Sequence, residues 1–513
     1  MHRPATTEAR VAEELAAVRP ALLPRYTAEL PGARAAVLTR LWRALAHEPL
    51  PWITGRAHGA HGLALRLADG RTLYGPPADP YATSEYVTGV RLDRERQVDP
   101  AALMTALAVP HGAAFAAELA DSVASLALSR AGADHPKEWP AGVPTTEGWG
   151  RDWEWEQRVT DGHPYHPGCR SRPGFSVADQ LAYGPEHRPV VELGTVPVPA
   201  ADCLVNGDWP EELRDGGRLL VPVHPWQAGH VLQRPYGPWR PGRPLLSLRT
   251  LALPGGTHVK TALSARLTSS VRDISAYSVR AAAPLTALGE ELAARTDGLL
   301  HLTRTLGAVS AGSPDLAALL RESPEVYTGP GERVLPVAAL ATTCLPDAPA
   351  WMAAFTRLTL TVGLRLLDLG VALEAHGQNL LVILAADGTP LRLVYRDLAD
   401  IRISPARLAR HGIVPPALTG RLVTDDETAL RRKLFGSLVA GALAGTAGSG
   451  AALGAALSAA VPDLADTPDL RALREGPLPA KALTLMRLSP GTPGDQWTSL
   501  PNPLVLEPGP SAP

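Results

Sequence analysis

An α+β fold in three parts is what this 513-residue chain predicts, and three observations carry that expectation. Apolar residues recur at helical spacing through most of residues 1–130, as in 7–19, 32–48 and 100–130. Residues 190–280 show strand patterning at 190–193, 218–223, 245–253 and 257–267. From 346 onward helical spacing returns, interrupted by a hairpin pattern over 380–403. The expected division is 1–145, mainly helical; 146–340, β-rich; and 341–513, mixed helix and sheet.

Within this frame, 51–95 breaks the first helical part with short alternating pieces, 62–67 and 72–74, that predict a hairpin. A segment rich in Pro, Gly and Trp, 132–174, is incompatible with regular helix. Residues 281–325 return to helix, 346–375 read as a strong amphipathic helix, and further helices run from 404 to about 488. Residues 435–462 carry no charge and are long enough on paper to span a bilayer. They are mostly Ala and Gly with Gly-Thr-Ala-Gly-Ser-Gly at their centre, which predicts two short helices around a glycine turn. Those glycines lack the Gly-Lys-Ser/Thr of a phosphate loop.

Hydrophobic residues make up 45% and charged residues 19%, the mix of a chain that buries a core. A net charge of −2 excludes the broad basic field that nucleic acid or an anionic membrane would need, so any anion site must be local. Three scattered cysteines make no disulfide framework, and the N-terminus has no apolar leader, which predicts a reducing cytoplasm. Of 49 Lys and Arg, only four are lysines: Lys137, Lys260, Lys433 and Lys481. Against that bias a lysine inside a strand stands out, since a compact ammonium does what a planar guanidinium cannot.

Three clusters could carry chemistry. The first, Gly162-His-Pro-Tyr-His-Pro-Gly-Cys-Arg-Ser-Arg-Pro-Gly-Phe-Ser176, is stiffened by prolines and concentrates His163, His166, Arg170 and Arg172, as an anion site requires. A Pro-rich linker whose histidines cap turns has the same composition, and a zinc site through His163, His166 and Cys169 lacks a fourth ligand. The second runs from Leu245 to Leu267, two alternating stretches around Pro-Gly-Gly. A loop with an even count places Lys260 on the face of Ser247 and Arg249; an odd count puts it among leucines, which is costly for a charge. Thr268 or Ser269 would then cap the next helix, with Arg272 beside a phosphate-favouring helix start. The third joins Glu374-Ala-His-Gly-Gln-Asn379 to Arg396-Asp397, with Asn379 and Asp397 roughly opposite each other across a hairpin. His376 and hard oxygens from Glu374, Asn379 and Asp397 suit Mg²⁺ on ATP phosphates.

At these clusters the chain resembles the NRPS-independent siderophore synthetases, the IucA/IucC family. The resemblance rests on His163-Pro-Tyr-His-Pro, Arg170-Ser-Arg-Pro-Gly-Phe, Tyr183-Gly-Pro-Glu, His224-Pro-Trp-Gln, Ser247-Leu-Arg-Thr, His258-Val-Lys, Thr268-Ser-Ser-Val-Arg, Glu374-Ala-His-Gly-Gln-Asn, Arg396-Asp, Lys481 with Met486-Arg487, and Asn502-Pro-Leu, in order from about residue 145 to 505. It implies a cupped hand with a helical thumb, β-rich fingers and an α/β palm, and adenylation of a carboxylate, commonly citrate or a derivative, followed by condensation with an amine or alcohol. By resemblance His163, Lys260, Arg272 and His376 serve catalysis, while Ser247, Arg249, Thr250, Thr268, Gln378 and Asn379 hold ATP. Glu374, Asn379 and Asp397 would meet Mg²⁺, and His166, Arg170, Arg172 and Arg396 would meet the acid. Arg170 stands where members often carry Lys. A homodimer is also implied. A kinase-like phosphotransferase releasing ADP is the rival reading, against which stands Gln378 where a kinase-like Asp would follow His376. A non-catalytic binder of carboxylate-rich chelates is the third.

Overall fold

The computed structural model describes residues 6–59, 62–83, 86–133, 152–267 and 270–505. Part of the Pro/Gly/Trp-rich segment, and Thr268 with Ser269, lie outside them.

The first region packs the long helices Leu23–His47 and Gly112–Gly132 against each other and against a five-stranded antiparallel sheet. The hairpin expected at 62–75 forms, with Leu63 opposite Gly75 and Arg66 opposite Thr72. It is the centre of a meander running from Ile53 to Gln97, because three further apolar-alternating pieces add to its edges. Trp42, Tyr26, Phe115 and Leu65 fill the core between helices and sheet. That core also takes Cys169, Val177 and Leu488 from far along the chain.

A nine-stranded sheet dominates the middle. Its strand order is Leu204–Gly207, Thr305–Ser310, Ala317–Glu322, Thr257–Thr261, Thr250–Ala252, Gly237–Pro244, Val191–Pro199, Arg218–Val223 and Arg214–Asp215. Helix Ala276–Ala293 packs on its Leu204–Gly207 and Thr305–Ser310 edge. Within 281–325, then, the helical expectation holds only to Ala293; beyond it the chain forms strands Leu300–Leu302, Thr305–Ser310 and Ala317–Glu322. The apolar runs there are short and mostly buried, a pattern that periodicity alone cannot separate from buried helix.

The last region is built on helix Pro349–Leu369, ended by Gly370 in the left-handed conformation (φ 112°). It covers a four-stranded sheet in which Leu380–Leu384 and Pro390–Tyr395 form the expected hairpin. Leu380 pairs with Tyr395, so Asn379 meets Arg396 rather than Asp397, its carbonyl accepting the Arg396 N–H at 3.0 Å. The uncharged stretch folds as two helices, Glu427–Ala447 and Gly450–Ala460, bent by 115° at Gly448 (φ 79°). Among the described residues no single helix is long and apolar enough to cross a membrane.

Candidate active site

A cavity of 1240 Å³ lies where these regions meet, and every described residue singled out above as a site candidate lines it. Its first wall is the turn after the Gly237–Pro244 strand. Leu248 adopts φ 61°, a conformation rare for leucine. Ser247 Oγ secures the kink by donating to Thr250 Oγ1 at 2.9 Å and accepting the Thr250 N–H at 3.2 Å. The strand expected over 245–253 is thereby cut to Thr250–Ala252.

The following loop has three residues, Pro254, Gly255 and Gly256, closed by the Leu253 N–H donating to the Thr257 carbonyl at 2.8 Å. The two glycines take φ 90° and 81°, which a side chain would resist. Thr250 therefore faces Lys260 and Leu251 faces Val259. This corrects the even register: the count is odd and Lys260 shares the Thr250 face. Two features lift the cost foreseen for that face. The Leu248 kink removes the upstream leucines from it, and Asp397 arrives from the last region. Lys260 Nζ donates to Asp397 Oδ2, and Arg321 Nη2 donates to Asp397 Oδ1 at 3.0 Å. Burial pulls the Lys260 ammonium down to about 7; Asp397 opposes that fall, and Arg321 and Arg249 add to it. Burial alone would raise the Asp397 carboxyl, but Arg321 and Lys260 hold it well below the usual range. Asp397 itself sits at φ 72°.

Arg249 ties this wall to the next hairpin by donating from Nη1 to the carbonyls of Arg272 (2.5 Å) and Asp273 (2.7 Å). Burial, reinforced by Arg272, pulls Arg249 down to about 10. Arg272 ends the strand Ser270–Arg272, paired with Leu263–Leu267. The helix cap expected at Thr268 or Ser269 falls to Ser275, whose Oγ accepts the Ser278 N–H at 3.2 Å. A hairpin, not a helix, follows Leu263.

The 374–379 loop contributes the other chemistry. His376 Nδ1 accepts the Gln378 N–H at 3.2 Å. His163 Nδ1 accepts the N–H groups of Tyr165 and His166, both at 3.1 Å. A ring whose Nδ1 accepts carries its proton on Nε2, and burial lowers both pKa values, keeping the rings neutral. His166 Nδ1 likewise accepts the Gly168 N–H, and burial pulls its pKa to about 3. Glu374 Oε1 receives Lys433 Nζ at 2.9 Å and Lys481 Nζ at 2.8 Å. Burial would raise its carboxyl, yet Lys481, His376 and Lys433 carry it far down. The helix bearing Lys433 continues as a π-helical stretch, Phe435–Leu443, whose Ser437 Oγ accepts the Ala375 N–H at 2.9 Å and so fixes the loop.

Three residues expected to meet an acid line the cavity and also hold partners within the protein. Arg172 Nη1 and Nη2 donate to the two oxygens of Glu186 at 2.7 and 3.0 Å. Arg170 donates from Nε to the Thr160 carbonyl at 2.6 Å and from Nη2 to the Val159 carbonyl, with Glu186 3.6 Å from Nη1. Arg396 donates to Glu156 at 2.6 Å and to the Gln378 carbonyl at 3.0 and 2.8 Å. All three guanidinium groups hold partners inside the protein. The two carboxylates among the expected metal ligands, Glu374 and Asp397, are also engaged. Among the described residues no group of three or more His, Cys, Asp or Glu is arranged to hold a metal.

Arg321, Lys433, Lys481 and Glu156 escaped the sequence reading as site residues. One signal for two of them was available: all three described lysines line the cavity.

Residues 152–342 match the IucA / IucC family, and residues 349–491 match the family described as ferric iron reductase FhuF-like transporter. A citryl-spermidine/3,4-dihydroxybenzoyl-citryl-spermidine:spermidine ligase of Bacillus anthracis is 23% identical over 312 residues, 48% of this chain and 51% of that protein. The rhizobactin siderophore biosynthesis protein RhbF of Rhizobium meliloti is 26% identical over 316 residues, 47% of this chain and 52% of that protein. The chain thus spans about half the length of the curated relatives it matches. The solved structure of the petrobactin biosynthesis protein AsbB from Bacillus anthracis superposes with a TM-score of 0.75 at 19% identity, covering 94% of this chain and 97% of that one. ATP-bound aerobactin synthetase IucA from Klebsiella pneumoniae superposes with a TM-score of 0.67 at 19% identity, covering 92% and 99%. At such identity the likeness speaks for the fold, and the segment match speaks for the lineage. Together with the motifs gathered around this cavity, they make the chain similar to the IucA / IucC family over residues 152–342 and to these synthetases in fold.

Proposed function

We propose that this protein activates a carboxylate with ATP and passes the acyl group to an amine or hydroxyl. The observation that carries the proposal is the Lys260–Asp397–Arg321 cluster, with Arg249 and Arg272 beside it, in one cavity with His163 and His376. A carboxylate oxygen attacks the α-phosphorus, the α–β anhydride bond breaks, and pyrophosphate leaves with the electron pair. The acceptor's lone pair then attacks the acyl carbon, AMP departs, and the acceptor's proton is released. Neither step needs a protein nucleophile; cations and fixed donors stabilising the departing charge, with positioning, suffice. Lys260, Arg249 and Arg272 supply charge, Ser247 and Thr250 hydroxyls, and the neutral Nε2–H groups of His163 and His376 donors without charge. Thr268, outside the described residues, is proposed to join them, and Gln378 and Asn379 to face the nucleotide.

Mg²⁺ enters as part of MgATP. Glu374, Asn379 and Asp397 have the hard oxygen chemistry for it, but each carboxylate already holds two cations. Were phosphates to draw Lys260 and Arg321 toward themselves, Asp397 would be free to hold the ion. The cavity's 1240 Å³ exceeds the roughly 300–1,000 Å³ of a single small-molecule site, as two substrates require. The acid is proposed to be citrate or a derivative, in line with relatives such as the D-ornithine--citrate ligase of Staphylococcus aureus. We further propose the thumb, fingers and palm division at 1–145, 146–340 and 341–513, a homodimer and a cytoplasmic site. The segment matching the FhuF-like family contains no cysteine, so a thiolate-held redox iron has no ligands there.

Pyrophosphate release screened across carboxylic acids, then across amines with the best acid, tests the proposal. AMP and pyrophosphate are expected. ADP would mean a phosphotransferase instead, and tight binding of a carboxylate-rich chelate without ATP turnover would mean a binding protein.

A further inference from the structure

Two non-glycine residues in the cavity wall, Leu248 and Asp397, hold left-handed backbone conformations. Such residues persist only where their surroundings over-determine them. One carboxylate lies next to both. Glu156, fully buried, ends the short helix Asp152–Glu156. Its Oε2 accepts the Leu246 N–H at 2.9 Å, two residues before Leu248. Its Oε1 accepts Arg396 Nη1 at 2.6 Å, one residue before Asp397.

We propose that Glu156 is a positioning residue: it brackets the 245–250 turn to the Arg396–Asp397 corner and so fixes the distance across which the nucleotide's phosphates are held. This rests on the nucleotide reading above but assigns a residue that touches no substrate. Arg396 extends the bracket by donating to the Gln378 carbonyl, so the 374–379 loop is held by the same carboxylate. From the same helix, Asp152 Oδ2 lies 2.8 Å from His258 Nε2, two residues before Lys260. Gln157, next in sequence, donates from Nε2 to the Pro244 carbonyl at 3.3 Å. A carboxylate is the group the position requires, because it alone offers two acceptor oxygens to two separate donors. A buried carboxylate is tolerated only when both are satisfied, as here.

The test is MgATP affinity by isothermal titration calorimetry, with thermal melting alongside. Glu156→Gln turns one acceptor into a donor facing a donor, and is expected to weaken MgATP binding ten- to hundredfold, the usual loss for residues that orient a binding group. The double variant Glu156→Leu/Arg396→Met replaces the buried pair with apolar side chains. Its melting temperature is expected to recover toward wild type while MgATP affinity stays low. Should Glu156→Gln fail to fold, the double variant alone decides. The inference falls if a folded Glu156→Gln binds MgATP within twofold of wild type, or if the double variant regains affinity together with stability. Wild-type protein that binds no MgATP would instead overturn the nucleotide reading, and this inference with it.

Discussion

Glu186 and Asp397 each gather two cations on one carboxylate, and they are built to opposite ends. At Glu186, Arg172 closes a bidentate pair, Arg170 stands 3.6 Å away, Ser129 Oγ adds a bond at 2.7 Å, and the side chain has no exposure. At Asp397, Lys260 and Arg321 share the carboxylate, but its side chain keeps 24% exposure to the cavity. The first cluster is sealed, its carboxylate fully buried. The second is open, so an incoming anion can displace the carboxylate and inherit its cations. Arginine density in a sequence therefore marks cations but not their availability; what the fork already holds decides between scaffold and site.

The largest effect should come from breaking the sealed pair. Arg172→Met leaves Glu186 buried with the Ser129 hydroxyl and only the more distant Arg170 as a cation, which costs about 3–5 kcal/mol of stability. Its melting temperature should fall by several degrees, while MgATP affinity of the folded fraction stays at the wild-type level. A variant that melts normally but loses affinity would make Arg172 a ligand and erase the contrast. The open cluster should respond the other way. Lys260→Met and Arg272→Met are each expected to lose about 2–4 kcal/mol of transition-state stabilisation, seen as slower pyrophosphate release. Their melting temperatures should move far less than that of Arg172→Met, because Arg321 still pairs with Asp397 and each variant removes a cation that burial disfavours. Unfolding of either would show the open cluster to be scaffold as well.

The same contrast explains what the sequence could disclose. Periodicity found the long helices, the 380–395 hairpin and the helical pair around Gly448, since each is encoded locally. Strand alternation around Pro-Gly-Gly, the scarcity of lysine and the Glu374–Asn379 cluster drew attention to Ser247, Lys260 and His376, which do line the cavity. Partner choice was illegible. Glu186 and Glu156 look like any glutamate, and the contacts that define them reach 14 and 240 residues along the chain. The Lys260 register failed for a local reason: the charge-burial argument assumed uninterrupted alternation, and Leu248 interrupts it. Arg321 sits in a run of buried residues from Ala317 and gave no sign that its guanidinium reaches Asp397.

Proton linkage sharpens the contrast with a smaller effect. The Lys260 pKa lies near 7 in the folded protein against 10.5 ordinarily. Between those values the unfolded chain binds the extra proton, so this group makes stability rise with pH from about 7 to about 10.5. A triphosphate beside the ammonium favours its charged form and lifts the pKa again. MgATP binding at pH 8 should therefore take up a proton, and affinity should fall above pH 7 by at most about tenfold per pH unit. Calorimetry in two buffers of different ionisation enthalpy measures that uptake directly. Lys260→Met should abolish most of it, and Arg172→Met should leave it intact. Equal uptake in wild type and Lys260→Met would show that the lysine stays paired with Asp397 when nucleotide binds, and that the open carboxylate is no more exchangeable than the sealed one.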